Sequence, residues 1–213
     1  MDENTIRLIR EGLRERADPV KAPQMQRYMK SSMPFLGVQK PERVALARAV
    51  FPAEVSLDTV LALWREATYR EERYMALLLL DRRPPEMAAL PVYEELIVTG
   101  AWWDLVDAVA TGPLGALLPD VADTLRAWSV DPNLWKRRAA IIAQVKRRAD
   151  TDFALLAECI DPNRGDREFF IRKAIGWALR AYAWVNPEAV IEYCETHELS
   201  GLSRREALKN VRA

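Results

Sequence analysis

Leu134-Trp135-Lys136-Arg137-Arg138-Ala139-Ala140-Ile141 and, 35 residues further on, Phe169-Phe170-Ile171-Arg172-Lys173-Ala174-Ile175-Gly176 read as two copies of one helical segment. Each opens on an aromatic or apolar residue, continues through cations and closes on small or branched apolar side chains. Trp103-Asp104-Leu105-Val106-Asp107-Ala108-Val109 fits the same frame 31 residues before the first copy, and Arg73-Tyr74-Met75-Ala76-Leu77 fits 33 residues before that. Arg205-Glu206-Ala207-Leu208 falls 32 residues after the last. In this register Tyr74, Asp107, Arg138, Lys173 and Arg205 occupy equivalent positions. Spacings of this size suit helix-pair repeats, whose stacking lines equivalent positions along one concave surface. That surface would carry an aromatic ring, a carboxylate and three cations in a row.

The rest of the chain agrees with an all-α reading. Helical periodicity dominates, and no alternating strand pattern stands out. The 13 prolines fall mostly between apolar-periodic segments, several of them where a first helical turn tolerates the missing N–H. Ser56-Leu57-Asp58, Asp131-Pro132 and Asn186-Pro187-Glu188 look like helix starts with an early acidic residue. The pattern predicts about a dozen helices joined by short turns. No Ser/Gly-rich linker divides them, so a single repeat domain over residues 1–213 is expected, an α-solenoid or a compact helical array.

Composition removes several function classes. The chain has 213 residues, half of them apolar and 29% charged, as expected of a folded soluble protein. No stretch approaches the roughly 18 uninterrupted apolar residues of a membrane span, so no membrane partner is expected. MDENTIRLIREGLRER at the N-terminus is too charged for a secretory signal. Cys159 and Cys194 form no metal or redox motif, and a reducing cytoplasm is the natural compartment. His197 is the only histidine, which argues against His-rich metal sites and most His-based triads. No P-loop or metal-ligand cluster is present, so neither a metal nor another cofactor is expected.

Net charge is zero, but its distribution is uneven. Residues 1–125 carry 15 basic and 19 acidic side chains, residues 126–180 carry 12 and 7, and residues 181–213 carry 4 and 5. The positive excess sits at KRR 136–138, KRR 146–148 and Arg172, Lys173 and Arg180. A local basic strip is what phosphate contact requires, whatever the total; a solvated helix face would read the same way.

Trp103 and Asp107, and likewise Lys173 and Trp177, are four apart and so share a helix face. With Arg138 they would set two indoles, one carboxylate and flanking cations along the inferred surface. Trp64, Trp128, Trp135 and Trp184 read as core or packing residues. The Trp102-Trp103 pair cannot be wholly core, because adjacent helical positions point about 100° apart.

These residues carry a specific resemblance. RYMK at 27–30, FLGVQKPER at 35–43, EELIVTGAWWDLVDAV at 94–109, NLWKRRAAI at 133–141, EFFIRKAIGWALRAYA at 168–183 and LSRREALK at 202–209 resemble the AlkD family of alkylpurine DNA glycosylases. The resemblance runs from near residue 20 to the C-terminus and implies a solenoid of HEAT-like repeats with a concave DNA-binding groove. By motif it implies Asp107 as the catalytic carboxylate and Trp103 and Trp177 as groove tryptophans. Arg138 matches the family's groove arginine and Tyr28 an N-terminal groove tyrosine; Arg180 also lies on a matching motif. Phosphate contacts are expected from Arg138 and from Lys146, Arg147, Arg148, Arg172, Lys173, Arg180 and Arg205.

The implied activity is removal of positively charged N3- and N7-alkylated purines from duplex DNA during base excision repair. The implied enzyme is a monofunctional, monomeric glycosylase of the 3-methyladenine/7-methylguanine type, in the cytoplasm and nucleoid-associated in a bacterium, without a base-specific flipping pocket. Its partner would be duplex DNA containing alkylated purines. Two other readings remain open from the residues: a non-catalytic DNA-structure-binding protein of the same architecture, and a protein-binding helical-repeat scaffold.

Overall fold

Asp2, Ser56, Asn133, Asp152, Asn186 and Ser200 each turn a side-chain oxygen onto a backbone N–H two or three residues ahead, and an α-helix begins at each of them. Such caps satisfy donors that the first helical turn leaves free. Ser56 and Asn186 are the starts expected from the sequence. The start expected at Asp131 lies two residues later: Asp131 accepts the N–H of Asn133 at 2.8 Å, and Asn133 caps the helix. The computed structural model describes residues 1–211, and among these the chain forms thirteen α-helices and no strand.

Two compact units divide the chain, the first running from Met1 to Pro84 and the second beginning at Pro85. The first holds α1 (Glu3–Glu15), α2 (Lys21–Met29), α3 (Lys40–Val50), α4 (Leu57–Arg65) and α5 (Arg70–Leu80). Helices α1, α3 and α5 pack on one another over Ile9, Leu13, Leu46, Met75 and Leu79, all buried. Glu71 is fully buried in this unit. It accepts the N–H groups of Leu36, Gly37 and Val38 at 3.0, 2.9 and 3.1 Å, fixing the loop before α3 where Gly37 adopts a φ of 88°.

The second unit holds α6 (Leu90–Gly100), α7 (Trp103–Val109), α8 (Ala122–Ser129), α9 (Leu134–Ile142), α10 (Phe153–Ile160), α11 (Phe169–Tyr182), α12 (Pro187–Thr196) and α13 (Gly201–Ala207). Helices α7, α9, α11 and α13 pack in succession, each on the next. Helix α6 packs on α7 and α9, α8 on α9, α10 on α8, α9 and α11, and α12 on α11. Leu105, Val106, Ile141, Ile142, Ile171, Ile175 and Leu179 are buried between them, each contributing about 1.5–3 kcal/mol of hydrophobic stabilisation.

The five residues aligned by the sequence register hold the same place in their helices. Tyr74, Asp107, Arg138, Lys173 and Arg205 are each the fifth residue of their helix, on α5, α7, α9, α11 and α13 respectively. The contact between α11 and α13 demands a glycine. A Cβ on Gly176 of α11 would lie 2.4 Å from the Cβ of Glu206 and 2.9 Å from the Ser203 carbonyl oxygen, both on α13. The absent side chain lets the two helices approach closely enough for Ser203 Oγ to donate to the Arg172 carbonyl at 3.0 Å.

Candidate active site

The Trp102-Trp103 pair separates at the start of α7. Trp102 is the N-cap, with extended backbone at φ −154° and ψ 145°. Its ring leaves the helix for an aromatic cluster, with centroids 5.2 Å from Phe170 and 6.1 Å from Trp135. Trp103 is the first helical residue, half-buried, and therefore sits one turn before Asp107 on the same face of α7. Trp64, Trp128 and Trp135 are buried, as expected. Trp184 is not a packing residue: it follows α11 and is 76% exposed.

Asp107 meets Arg138 across the α7–α9 contact. Arg138 Nε donates to Asp107 Oδ1 at 2.7 Å and Nη2 donates to Oδ2 at 2.7 Å, a bidentate pair. Arg138 Nη1 donates to the Phe170 carbonyl at 2.6 Å, so the guanidinium also reaches α11. The planar fork of arginine matches a carboxylate in this way; a lysine would not. Burial pushes the Asp107 carboxyl above its ordinary range, against the downward pull of Arg138. The expectation that Arg138 contacts phosphates needs revision. It is only 5% exposed, and it spends three of its N–H groups inside the protein.

The expected cations fall into distinct environments. Within the first KRR triplet, Lys136 pairs with Asp131 at 2.6 Å and Glu94 at 2.8 Å, and Arg137 pairs with Asp166 at 3.1 Å. Lys173 and Arg180, on α11, both pair with Glu206 of α13 through the same oxygen, at 3.0 and 2.6 Å. Those two cations, Arg180 first, hold the Glu206 carboxyl below its usual range. Arg147 donates to the Gly115 carbonyl at 3.2 Å, and Arg172 is half-buried. Lys146, Arg148 and Arg205 are exposed and carry no ion pair among the described residues.

Trp177 lines a pocket of about 480 Å³ with Arg148, Arg180 and Trp184; Asp107 is not part of that lining. Tyr28 lies on α2 in the first unit and is 80% exposed. Two residues of interest are not singled out by sequence alone. Glu206 has its signal beside Arg205 in the last repeat copy, and Trp184 has its signal in the seven-residue, same-face spacing from Trp177. Among the described residues, no group of three His, Cys, Asp or Glu side chains is placed to hold a metal ion. Among the same residues, no helix is long and apolar enough to cross a membrane.

A family model described as DNA alkylation repair enzyme matches residues 9–211. A solved structure described as a predicted DNA alkylation repair enzyme from Enterococcus faecalis superposes with a TM-score of 0.83 at 32% identity, over 92% of this chain and 97% of that one. No curated protein matches the chain.

Proposed function

The chain belongs to the family of DNA alkylation repair enzymes, and from that premise we propose that it is a glycosylase excising positively charged N3- and N7-alkylated purines from duplex DNA. The observation that carries the proposal is the half-buried Asp107, gripped at both oxygens by Arg138, one helical turn from Trp103.

Alkylation at N3 or N7 already gives the purine the positive charge of a good leaving group, so no general acid is needed at the base. As the N-glycosidic bond lengthens, the deoxyribose gains oxocarbenium character. Asp107 supplies the opposing charge in a partly desolvated setting, where such charge is worth more than in water. Each of its oxygens accepts one N–H from Arg138 and keeps a second acceptor position. Asp107 can therefore also hold or deprotonate the attacking water. Arg138 is a positioning residue: it fixes the carboxylate plane and keeps it ionised. Trp103 and Trp177 offer electron-rich faces to cationic sugar or base, each worth on the order of 0.5–2 kcal/mol. Lys146, Arg148 and Arg205 are the side chains best exposed to meet phosphates. Selectivity then follows from the lability of the cationic nucleotide, and the reaction takes its place in base excision repair.

Purine release from defined duplexes tests the proposal. With 7-methylguanine or 3-methyladenine in the duplex, release is expected; with neutral hypoxanthine, it is not. Asp107→Asn should lower the rate on cationic lesions by at least about 10²-fold. Duplex binding without release of any purine would favour the non-catalytic reading, and unchanged rates in Asp107→Asn would remove the role given to Asp107.

A further inference from the structure

A fixed turn after α11 carries an exposed tryptophan. Trp184 sits between α11 and α12, where the N–H groups of Val185 and Asn186 both bond the Tyr182 carbonyl at 2.8 and 3.0 Å, and Asn186 then caps α12. Tyr182 is itself stacked on Phe153 of α10, with centroids 4.6 Å apart and planes 12° from parallel. The turn is thus tied on both sides, and it holds the indole out to solvent beside Val185, which is 42% exposed.

The indole is one wall of the pocket of about 480 Å³ that Trp177 also lines. Two arginines, two tryptophans, two valines and an alanine make up that lining. Arg180 is paired with Glu206, whereas Arg148 is exposed and has no ion pair among the described residues. Aromatic faces beside cations complement a ligand that has flat π-surfaces and phosphates together. A paired duplex offers phosphates but keeps its base faces stacked; an unpaired strand offers both.

We infer that the cleft between Trp177 and Trp184 is a binding site for unpaired DNA nucleotides, with a base against the indoles and its phosphate on Arg148. The site shares Trp177 with the proposed glycosylase centre, but it is read from its own lining and gives the chain a second, strand-binding property. Trp184 is exposed, so its removal leaves the packing of α11 and α12 in place.

The test titrates the whole chain with a short oligothymidylate and, separately, with a blunt duplex, following tryptophan fluorescence. Oligothymidylate is expected to bind with quenching. Trp184→Ala should lower the ratio of oligothymidylate to duplex affinity by about tenfold, the range of a single base–aromatic stack, while Trp184→Phe should keep most of it. Arg148→Ala should weaken oligothymidylate binding and flatten its salt dependence. Absence of oligothymidylate binding at low salt, or an affinity ratio unmoved by Trp184→Ala, overturns the inference. Neither result touches the glycosylase reading, which stands or falls on purine release from paired duplexes.

Discussion

Arg138 of α9 holds both carboxylate oxygens of Asp107 of α7 at 2.7 Å, and its third hydrogen bond, at 2.6 Å to the Phe170 carbonyl, ties the pair to α11. Helices α7, α9 and α11 therefore meet at one ion pair. Removing one partner of such a buried pair leaves an uncompensated charge, at a cost of about 3–5 kcal/mol. Arg138→Ala and Asp107→Asn are each expected to lower Tm, the first by leaving Asp107 without its counterion and the second by leaving a buried, charged Arg138 facing an amide with a single acceptor oxygen. Thermal melts of the two variants measure both losses; an unchanged Tm in either would mean that the pair contributes nothing to stability.

The same pair sets the pH dependence. Burial raises the Asp107 carboxyl above its ordinary value of 3.8, and Arg138 opposes that rise. Since the proposed chemistry needs the carboxylate, the corrected rate of 7-methylguanine release should climb with pH along a limb lying above 3.8 and then level off. Arg138→Lys keeps a cation but removes the fork, so the limb should move to higher pH. A limb at the ordinary aspartate value in both proteins would assign the titration to another group.

Much of this arrangement was legible in the residues. The register that aligned Tyr74, Asp107, Arg138, Lys173 and Arg205 needed only the recurrence of similar segments, and each proves to be fifth in its helix. What the register could not convey was pairing. Asp107 and Arg138 are 31 residues apart, and nothing local to either announces that the packing of α7 on α9 makes them partners. The two KRR triplets have different fates for the same reason. They are spelled alike, yet Lys136, Arg137 and Arg138 lie on α9 and pair with carboxylates of the protein, while Lys146 and Arg148 follow the end of that helix and face solvent. Charge counts cannot separate these fates, because side-chain environment comes from tertiary packing.

The two triplets should behave oppositely on mutation. Lys146→Ala with Arg148→Ala is expected to leave Tm unchanged and to flatten the salt dependence of duplex binding, by about 0.9 in the log–log slope for each phosphate no longer neutralised. Lys136→Ala with Arg137→Ala is expected to lower Tm, at roughly 2–4 °C per kcal/mol for a chain of this size, with little change in the slope. Melts and binding titrations at several salt concentrations separate the two effects; the reverse pattern would return the first triplet to the phosphate-binding role expected from the sequence.

Glu206 acts in the other direction, as an internal counterion. While it holds Lys173 and Arg180, a phosphate approaching either cation must displace a carboxylate. Glu206→Gln keeps the shape and one acceptor oxygen but removes the charge. Duplex affinity should rise in this variant, and its salt dependence should steepen towards two further phosphate contacts. An unchanged slope would show that neither cation reaches DNA.

Gly176 gives an independent way to loosen the same clamp. Alanine is the better helix former by about 1 kcal/mol, so Gly176→Ala on an isolated helix would be stabilising. Here the added Cβ would stand 2.4 Å from the Glu206 Cβ and 2.9 Å from the Ser203 carbonyl oxygen. The second of these is backbone and cannot rotate away. Overpacking of this kind costs about 1–3 kcal/mol, enough to outweigh the propensity gain, and it is relieved only by moving α13 away from α11. Gly176→Ala should therefore lower Tm and, by drawing Glu206 off Lys173 and Arg180, steepen the salt dependence of duplex binding in the same sense as Glu206→Gln. In the double variant the slope should be no steeper than in Glu206→Gln alone, because the charge that held the cations is already gone. An additive slope in the double variant would mean that Gly176 acts on DNA binding by some route other than Glu206.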